Sequence, residues 1–262
     1  YDPSYITAKG SAFSPDASRT DTTVLPALGV RVQPLAWLAL KANASMRTRQ
    51  PGFHELFGDS GTVMGNPELR PETGENYDAG LSLDPETLHF EYSYFHSQMH
   101  DLIQFMQNSQ RTTMATNIGE AIIRGHEVSL AWAPDAPFRL TGSYTYQDAE
   151  NRSPVPSQTG KQLPYRPRHS LFGRAEIPFE GFTPFFEYVF VSGNFFDPAN
   201  MRPTPSGVPV RRIQNAGVTW TSKDGMLTLS IEAKNIENAD VQDFAGYPLP
   251  GRSFFGSMSL KL

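Results

Sequence analysis

Strict two-residue alternation of apolar and polar side chains, repeated along the chain, is the feature that most limits what this sequence can fold into. In residues 38–44, Leu38, Leu40, Ala42 and Ala44 alternate with Ala39, Lys41 and Asn43. The same pattern recurs at 88–94, 138–146, 171–179 and 227–233, and again at the end of the chain. There Phe254, Gly256, Met258, Leu260 and Leu262 share one face, and Phe255, Ser257, Ser259 and Lys261 share the other. A period of two places successive side chains on opposite faces of a strand. No segment shows a convincing 3.6-residue period, so the sequence predicts an all-β protein without amphipathic helices. About eleven strands follow Thr22, with a further one in 5–13.

The connections between strands alternate in length. Tight ones fall at 33–35, 84–86, 134–137, 180–181 and 222–225, rich in Pro, Asp and Gly. These residues set or tolerate the backbone angles that turns need. Long ones fall at 49–75, 104–113, 148–163, 195–208 and 237–252. A soluble sandwich has no reason to place every long loop at one end. A transmembrane antiparallel barrel does, with short periplasmic turns and long extracellular loops. The last strand then runs down to the periplasmic side.

Composition is compatible with that reading. Apolar residues make up 39% of the 262 and mean hydropathy is −0.40, with no apolar run approaching a spanning helix. Barrel walls escape this test, because only alternate residues face lipid. A net charge of −5 argues against nucleic acid as a partner. The absence of Cys removes disulfides and thiolate metal sites. No Ser-His-Asp arrangement, phosphate loop or carboxylate pair is recognisable, so no catalytic residue and no enzyme activity are expected. His96 and His100 lie four apart, which on a strand is about 13 Å and too far to share a metal ion.

Three groups of residues carry a resemblance. Arg49-Gln-Pro-Gly-Phe-His-Glu-Leu-Phe-Gly58 is followed by Gly65-Asn-Pro-Glu-Leu-Arg-Pro-Glu72 and Asn76-Tyr-Asp-Ala-Gly-Leu81. Asn117-Ile-Gly-Glu-Ala-Ile-Ile-Arg-Gly-His-Glu-Val128 comes next, with Leu163-Pro-Tyr-Arg-Pro-Arg-His169 downstream. Lys234-Asn-Ile-Glu-Asn238, Gly246-Tyr-Pro-Leu-Pro-Gly-Arg252 and the terminal strand close the series. In this order and spacing they resemble the TonB-dependent outer-membrane receptors, in the C-terminal half of the barrel domain. The resemblance implies a 22-stranded barrel of which residues 1–262 supply 11–12 strands. It implies a plug domain and N-terminal strands that this chain does not contain. The chain ends in Leu262 where such barrels usually end in an aromatic residue.

The implied function is reception of a scarce extracellular ligand (a ferric siderophore, haem or cobalamin) for import energised by the TonB complex through the plug. The alternatives are a structural or adhesive barrel component and a passive porin-like channel. No intrinsic cofactor is expected. The expected partners are outer-membrane lipid and another chain, or an N-terminal part of the same protein, that completes the barrel. An eleven-strand sheet has two open edges, which hydrocarbon does not tolerate. Lys41, Glu91, Glu127, Arg139, Arg174, Glu176, Glu187, Glu232 and Lys234 lie on the inward face and require water or a polar plug opposite. Ligand contacts are expected in the long loops. The candidates are Phe53, His54, Phe57, Met64, Phe105, Met106, Arg111, Phe195, Phe196, Arg202, Phe244 and Tyr247. Aromatic and Met side chains hold chelates by apolar contact, and Arg attracts anionic ones. The Pro- and Gly-rich segments 66–72 and 246–251 are expected to shape loops rather than touch ligand.

Overall fold

A computed structural model describes residues 2–8, 17–58, 63–107, 113–201, 209–244 and 247–261. Sixteen strands and one short helix follow in order: β1 (Asp2–Ala8), β2 (Ala17–Thr23), β3 (Ala27–Leu35), β4 (Leu38–Arg49), α1 (Phe53–Phe57), β5 (Val63–Met64), β6 (Glu72–Leu83), β7 (Leu88–Gln107), β8 (Thr113–Trp132), β9 (Arg139–Asn151), β10 (His169–Glu176), β11 (Phe182–Val191), β12 (Arg211–Thr221), β13 (Leu227–Lys234), β14 (Gln242–Phe244), β15 (Tyr247–Pro248) and β16 (Ser253–Leu260). One antiparallel path runs β16-β13-β12-β11-β10-β9-β8-β7-β6-β4-β3, and β5 pairs in parallel with β8. The β1–β2 hairpin and the β14–β15 ribbon are separate two-stranded sheets. Strands adjacent along the path are adjacent in sequence apart from these short insertions, so the sheet is a simple up-and-down meander.

The register aligns the alternation across the sheet. Lys41 pairs with Gly80, Gly80 with Ser93, Ser93 with Glu127, and Glu127 with Thr145. One residue along, Ala42, Ala79, Tyr94, His126, Tyr146 and His169 form the opposite face. That second face continues through Phe186, Ile231, Phe254, Met258 and Leu260, all more than a third exposed, with Phe254 and Met258 at 73%. A water-soluble sheet would cover such a face. A barrel wall presents it to lipid.

Aromatic residues mark the end with tight turns. Trp132 meets Phe138 edge-on at 5.1 Å, and Phe182 lies between Phe179 and Trp220. The turns there follow from local chemistry. Glu180 and Gly181 both take positive φ, and Phe179 and Phe182 exchange two backbone hydrogen bonds of 2.8 Å. Two positive φ values give the turn whose twist matches a hairpin.

The described residues contain only a small apolar core, formed by Leu56, Leu69 and Ala115 with Phe57 and Ile103 packed on it. It lies under the loop 50–71, not within the sheet. The strands are therefore held by ladder hydrogen bonds and by whatever faces each side. β3 and β16 are open edges, and every residue of β3 is exposed.

Three features differ from the sequence expectation. The segment 53–57 is helical, although five residues are too few to show a period. The described residues of the 104–113 connection, 104–107 and 113, belong to strands, because β7 and β8 run 20 residues each. β7 also carries an irregularity between Met99 and Leu102, where Asp101 has φ 55°.

Candidate functional site

The inward face is a wall of paired charges. Lys41 Nζ lies 3.4 Å from Glu91 Oε1, and Asn43 Nδ2 donates to Asp78 at 2.7 Å. With Arg47, Ser93, Glu127, Ser129 and Thr145 they line a cleft of about 800 Å³. Further round, the Arg174 guanidinium contacts Glu176 and Glu187 at 2.7 Å each. It lies 3.8 Å above the Phe185 ring, and Asn215 Nδ2 donates to Glu187 at 3.1 Å. Gly217 leaves room for Phe185, since a Cβ there would fall 2.7 Å from the ring. These groups are partly exposed and face the lumen, as the alternation requires for Lys41, Glu91, Glu127, Arg174, Glu176 and Glu187.

The loop 50–71 is bolted to the sheet. Arg49, at the end of β4, contacts Glu55 at 3.0 Å and Glu72 at 2.5 Å. Glu55 also accepts the Gly52 N–H at 2.6 Å, which starts α1. Burial pushes the Glu55 carboxyl up, but hydrogen bonds from Arg49 and Gly52 outweigh it and hold the group below the usual glutamate range. Asn66 Nδ2 donates to the Ala115 carbonyl at 2.9 Å, and Leu69 is buried. Asn117 accepts the Arg70 N–H and donates to the carbonyls of Arg70 and Asp101. A side-chain clamp of similar kind holds the loop 237–252. Asn235 bonds Ala239 through both its N–H and its carbonyl, and Asn238 accepts the Arg252 N–H at 2.9 Å.

The expected ligand-contacting residues fall into two groups. Phe53, His54 and Phe57 stand on α1, with the Phe53 ring 5.0 Å from Phe57 and 6.0 Å from His54. Phe53 and His54 are exposed, whereas Phe57 packs on the small core. Met64 in β5 and Phe105 in β7 are about half exposed near the same tip. Phe195 and Phe196, in the connection after β11, are half-buried, and the Phe195 carbonyl accepts the Tyr165 N–H at 2.9 Å. Tyr247 is exposed at 74% in β15. Arg111 and Arg202 lie outside the described residues, as do the side chains of Met106 and Phe244.

The structure adds a site that sequence reasoning missed. A cavity of about 230 Å³ is lined by Tyr165, Pro167, Val191, Asn194, Pro209, Arg211, Gln242 and Asp243, which joins three loops. Arg211 pairs with Asp243 there. Nothing in the sequence signals a pairing between positions so far apart. Among the described residues, no group of three His, Cys, Asp or Glu is placed to hold a metal ion.

The chain resembles known proteins over most of its length. The family model described as TonB dependent receptor-like, beta-barrel, matches residues 1–236. The vitamin B12 transporter BtuB of Photobacterium profundum is 29% identical over 119 residues, which are 44% of this chain and 19% of that protein. The metal-pseudopaline receptor CntO of Pseudomonas aeruginosa is 27% identical over 156 residues, 59% of this chain and 21% of that one. The chain thus spans about a fifth of the length of these relatives. The solved copper transporter OprC superposes with a TM-score of 0.77 at 18% identity, over 95% of this chain and 41% of OprC. The meander, the apolar outer face and the charged inner face agree with that fold. The chain belongs to the TonB-dependent receptor β-barrel family and is part of an outer-membrane barrel wall.

Proposed function

We propose that this chain supplies the C-terminal half of the barrel of an outer-membrane receptor that imports a scarce ligand using energy from the TonB complex. The observation that carries the proposal is the two-faced wall: apolar residues outward, and the paired charges of Lys41, Glu91, Arg174 and Glu187 inward. Such an inner face suits a polar plug, because buried charges need partners or water. The plug and the remaining strands would come from another chain or from another part of the same protein, and the plug would contact TonB. The reading assigns no catalytic step to this chain.

The ligand would be a metal chelate, haem or cobalamin, in keeping with relatives named for vitamin B12 and metal-pseudopaline. Phe53, His54, Phe57, Met64 and Phe105 would form one apolar contact surface at the extracellular mouth. Phe195, Phe196 and Tyr247 would contribute to a second. Met106, Arg111, Arg202 and Phe244 are further candidate ligand contacts by their place in the sequence alone.

Equilibrium binding by the assembled receptor tests the proposal. Ferric siderophores, haem and cobalamin are titrated, with quenching of intrinsic fluorescence as the signal. A receptor binds one class saturably, and replacing Phe53, Phe105 and Tyr247 together by Ala weakens it at least tenfold. A structural component or a porin-like channel binds none saturably.

A further inference from the structure

The cavity that joins three loops above β11 and β12 has a polarity that selects a ligand class. Val191 and Arg211, which line it, pair with each other at the long-loop end of these strands. Each lies four residues from the Glu187–Asn215 pair on the inner face. An even offset keeps a residue on the same face, so the cavity belongs to the lumenal side of the wall. Its volume is about 230 Å³. An apolar cavity of about 150 Å³ already accepts benzene, so a small organic group fits here.

Two of the lining residues each hold a buried polar atom with no hydrogen-bond partner among the described residues: Asn194 Oδ1 and Arg211 Nε. Asn194 is only 8% exposed. Such atoms cost free energy unless something meets them. Asn194 Oδ1 accepts, so it requires a donor, and the Arg211 Nε–H donates, so it requires an acceptor. An ionised carboxylate or phosphate offers no donor to Asn194. It would also meet the Asp243 carboxylate, with which the Arg211 charge is already paired. The match is an uncharged group that carries both a donor and an acceptor. Pro167, Val191 and Pro209 supply apolar wall for its carbon atoms.

We propose that the cavity lined by Asn194 and Arg211 binds a carboxamide or peptide group of the incoming ligand. The ligand's N–H donates to Asn194 Oδ1, and its carbonyl accepts from Arg211 Nε. A hydrogen bond to a charged donor is the stronger kind, which favours the amide carbonyl at Arg211. The inference rests on the reading of the long loops as the ligand's mouth, and it narrows that reading. Ligands that bear amides are favoured over chelates and haem whose polar arms are carboxylates.

Saturation-transfer NMR on the assembled receptor in detergent tests it with small probes. These are N-methylacetamide, methyl acetate (oxygen in place of the N–H) and the acetate anion. An unmet buried partner costs roughly five- to a hundredfold in affinity. The wild type is therefore expected to bind N-methylacetamide at least fivefold more tightly than either of the others. N194L removes the acceptor at similar size and should bring N-methylacetamide down to the methyl acetate value. V191F fills the cavity from its apolar side and should abolish N-methylacetamide binding. Heat-modifiable migration confirms that each variant is folded, and if N194L is not, V191F decides alone. Equal binding of N-methylacetamide and methyl acetate, tighter binding of acetate, or an unchanged preference in the folded variants overturns the proposal. Isopropanol bound as tightly as N-methylacetamide also overturns it, because a hydroxyl would then be the group recognised. The assay needs no TonB complex, so its failure leaves energised uptake standing, and a failure of uptake leaves this binding result intact.

Discussion

Asn117 grips the peptide groups of Arg70 from the side: its amide oxygen accepts the Arg70 N–H at 2.7 Å, and its Nδ2 donates to the Arg70 carbonyl at 2.9 Å. The two residues belong to different recognisable blocks of the sequence, 47 positions apart. One block shapes a loop and the other begins the descent of β8. Their contact turns two motifs into one structural unit, which fixes the apolar surface around α1 against the long-loop ends of β7 and β8.

Replacing Asn117 by Ala should therefore free the loop without unfolding the wall. Asn117 makes two exposed hydrogen bonds to Arg70 and a partly buried one to the Asp101 carbonyl, and a typical hydrogen bond contributes about 0.5–1.5 kcal/mol net. Hydrogen exchange is expected to rise in 63–71 and to stay unchanged in β10–β13. Uniform loss of protection across the sheet would show that Asn117 supports the wall rather than the loop.

The Arg49–Glu55–Glu72 cluster should make the same loop sensitive to acid. Glu55 is held below its ordinary value of 4.5 in the folded loop. A carboxyl depressed by folding stabilises the folded form above its unfolded pKa and loses that contribution as pH falls through the folded value. Loop protection should thus be constant from neutral pH down to the ordinary glutamate range and fall below it. In E55Q this acid-dependent loss should shrink, as followed by hydrogen exchange at several pH values.

Much of this wall can be read in the sequence, and the reasons are physical. Alternation identified the strands through Lys41, Glu91, Glu127 and Arg174, because one face must be wet and the other apolar. Turn chemistry located the tight end at Glu180 and Gly181. The helix at Phe53 was not legible, since its five residues have no periodicity and depend on Arg49 and Gly52 holding Glu55. The irregularity at Asp101 was hidden for a similar reason: a single inserted residue leaves the composition of β7 unchanged. The Arg211–Asp243 pair arises from loops brought together by the fold, and no local pattern announces such contacts.

The two faces should respond oppositely to the same substitution. Val128 pairs with Tyr92 and Tyr144 on the outward face, and Ser129 lines the inner cleft. An Arg facing lipid near mid-depth costs about 2–4 kcal/mol, whereas lumen positions tolerate charge. V128R should lower the urea midpoint of unfolding from vesicles, and S129R should change it little. Equal effects would contradict the assignment of faces.

Gly125 should tolerate no side chain. A Cβ there would lie 2.0 Å from the Tyr146 carbonyl oxygen and 2.7 Å from the Phe95 ring. Overpacking of this kind costs about 1–3 kcal/mol. G125V is expected to fold in lower yield with a reduced urea midpoint, while G173V, where a Cβ meets nothing within 4 Å, should behave like the wild type.

Energised uptake tests the central claim most directly. Cells carrying the complete receptor, or lacking it, are given radiolabelled ferric chelates, haem and cobalamin in strains with an active or an inactive TonB complex. The account predicts accumulation of one ligand class only when both the receptor and active TonB are present. Uptake that is unchanged by deleting the receptor, or that proceeds equally without TonB, would contradict it.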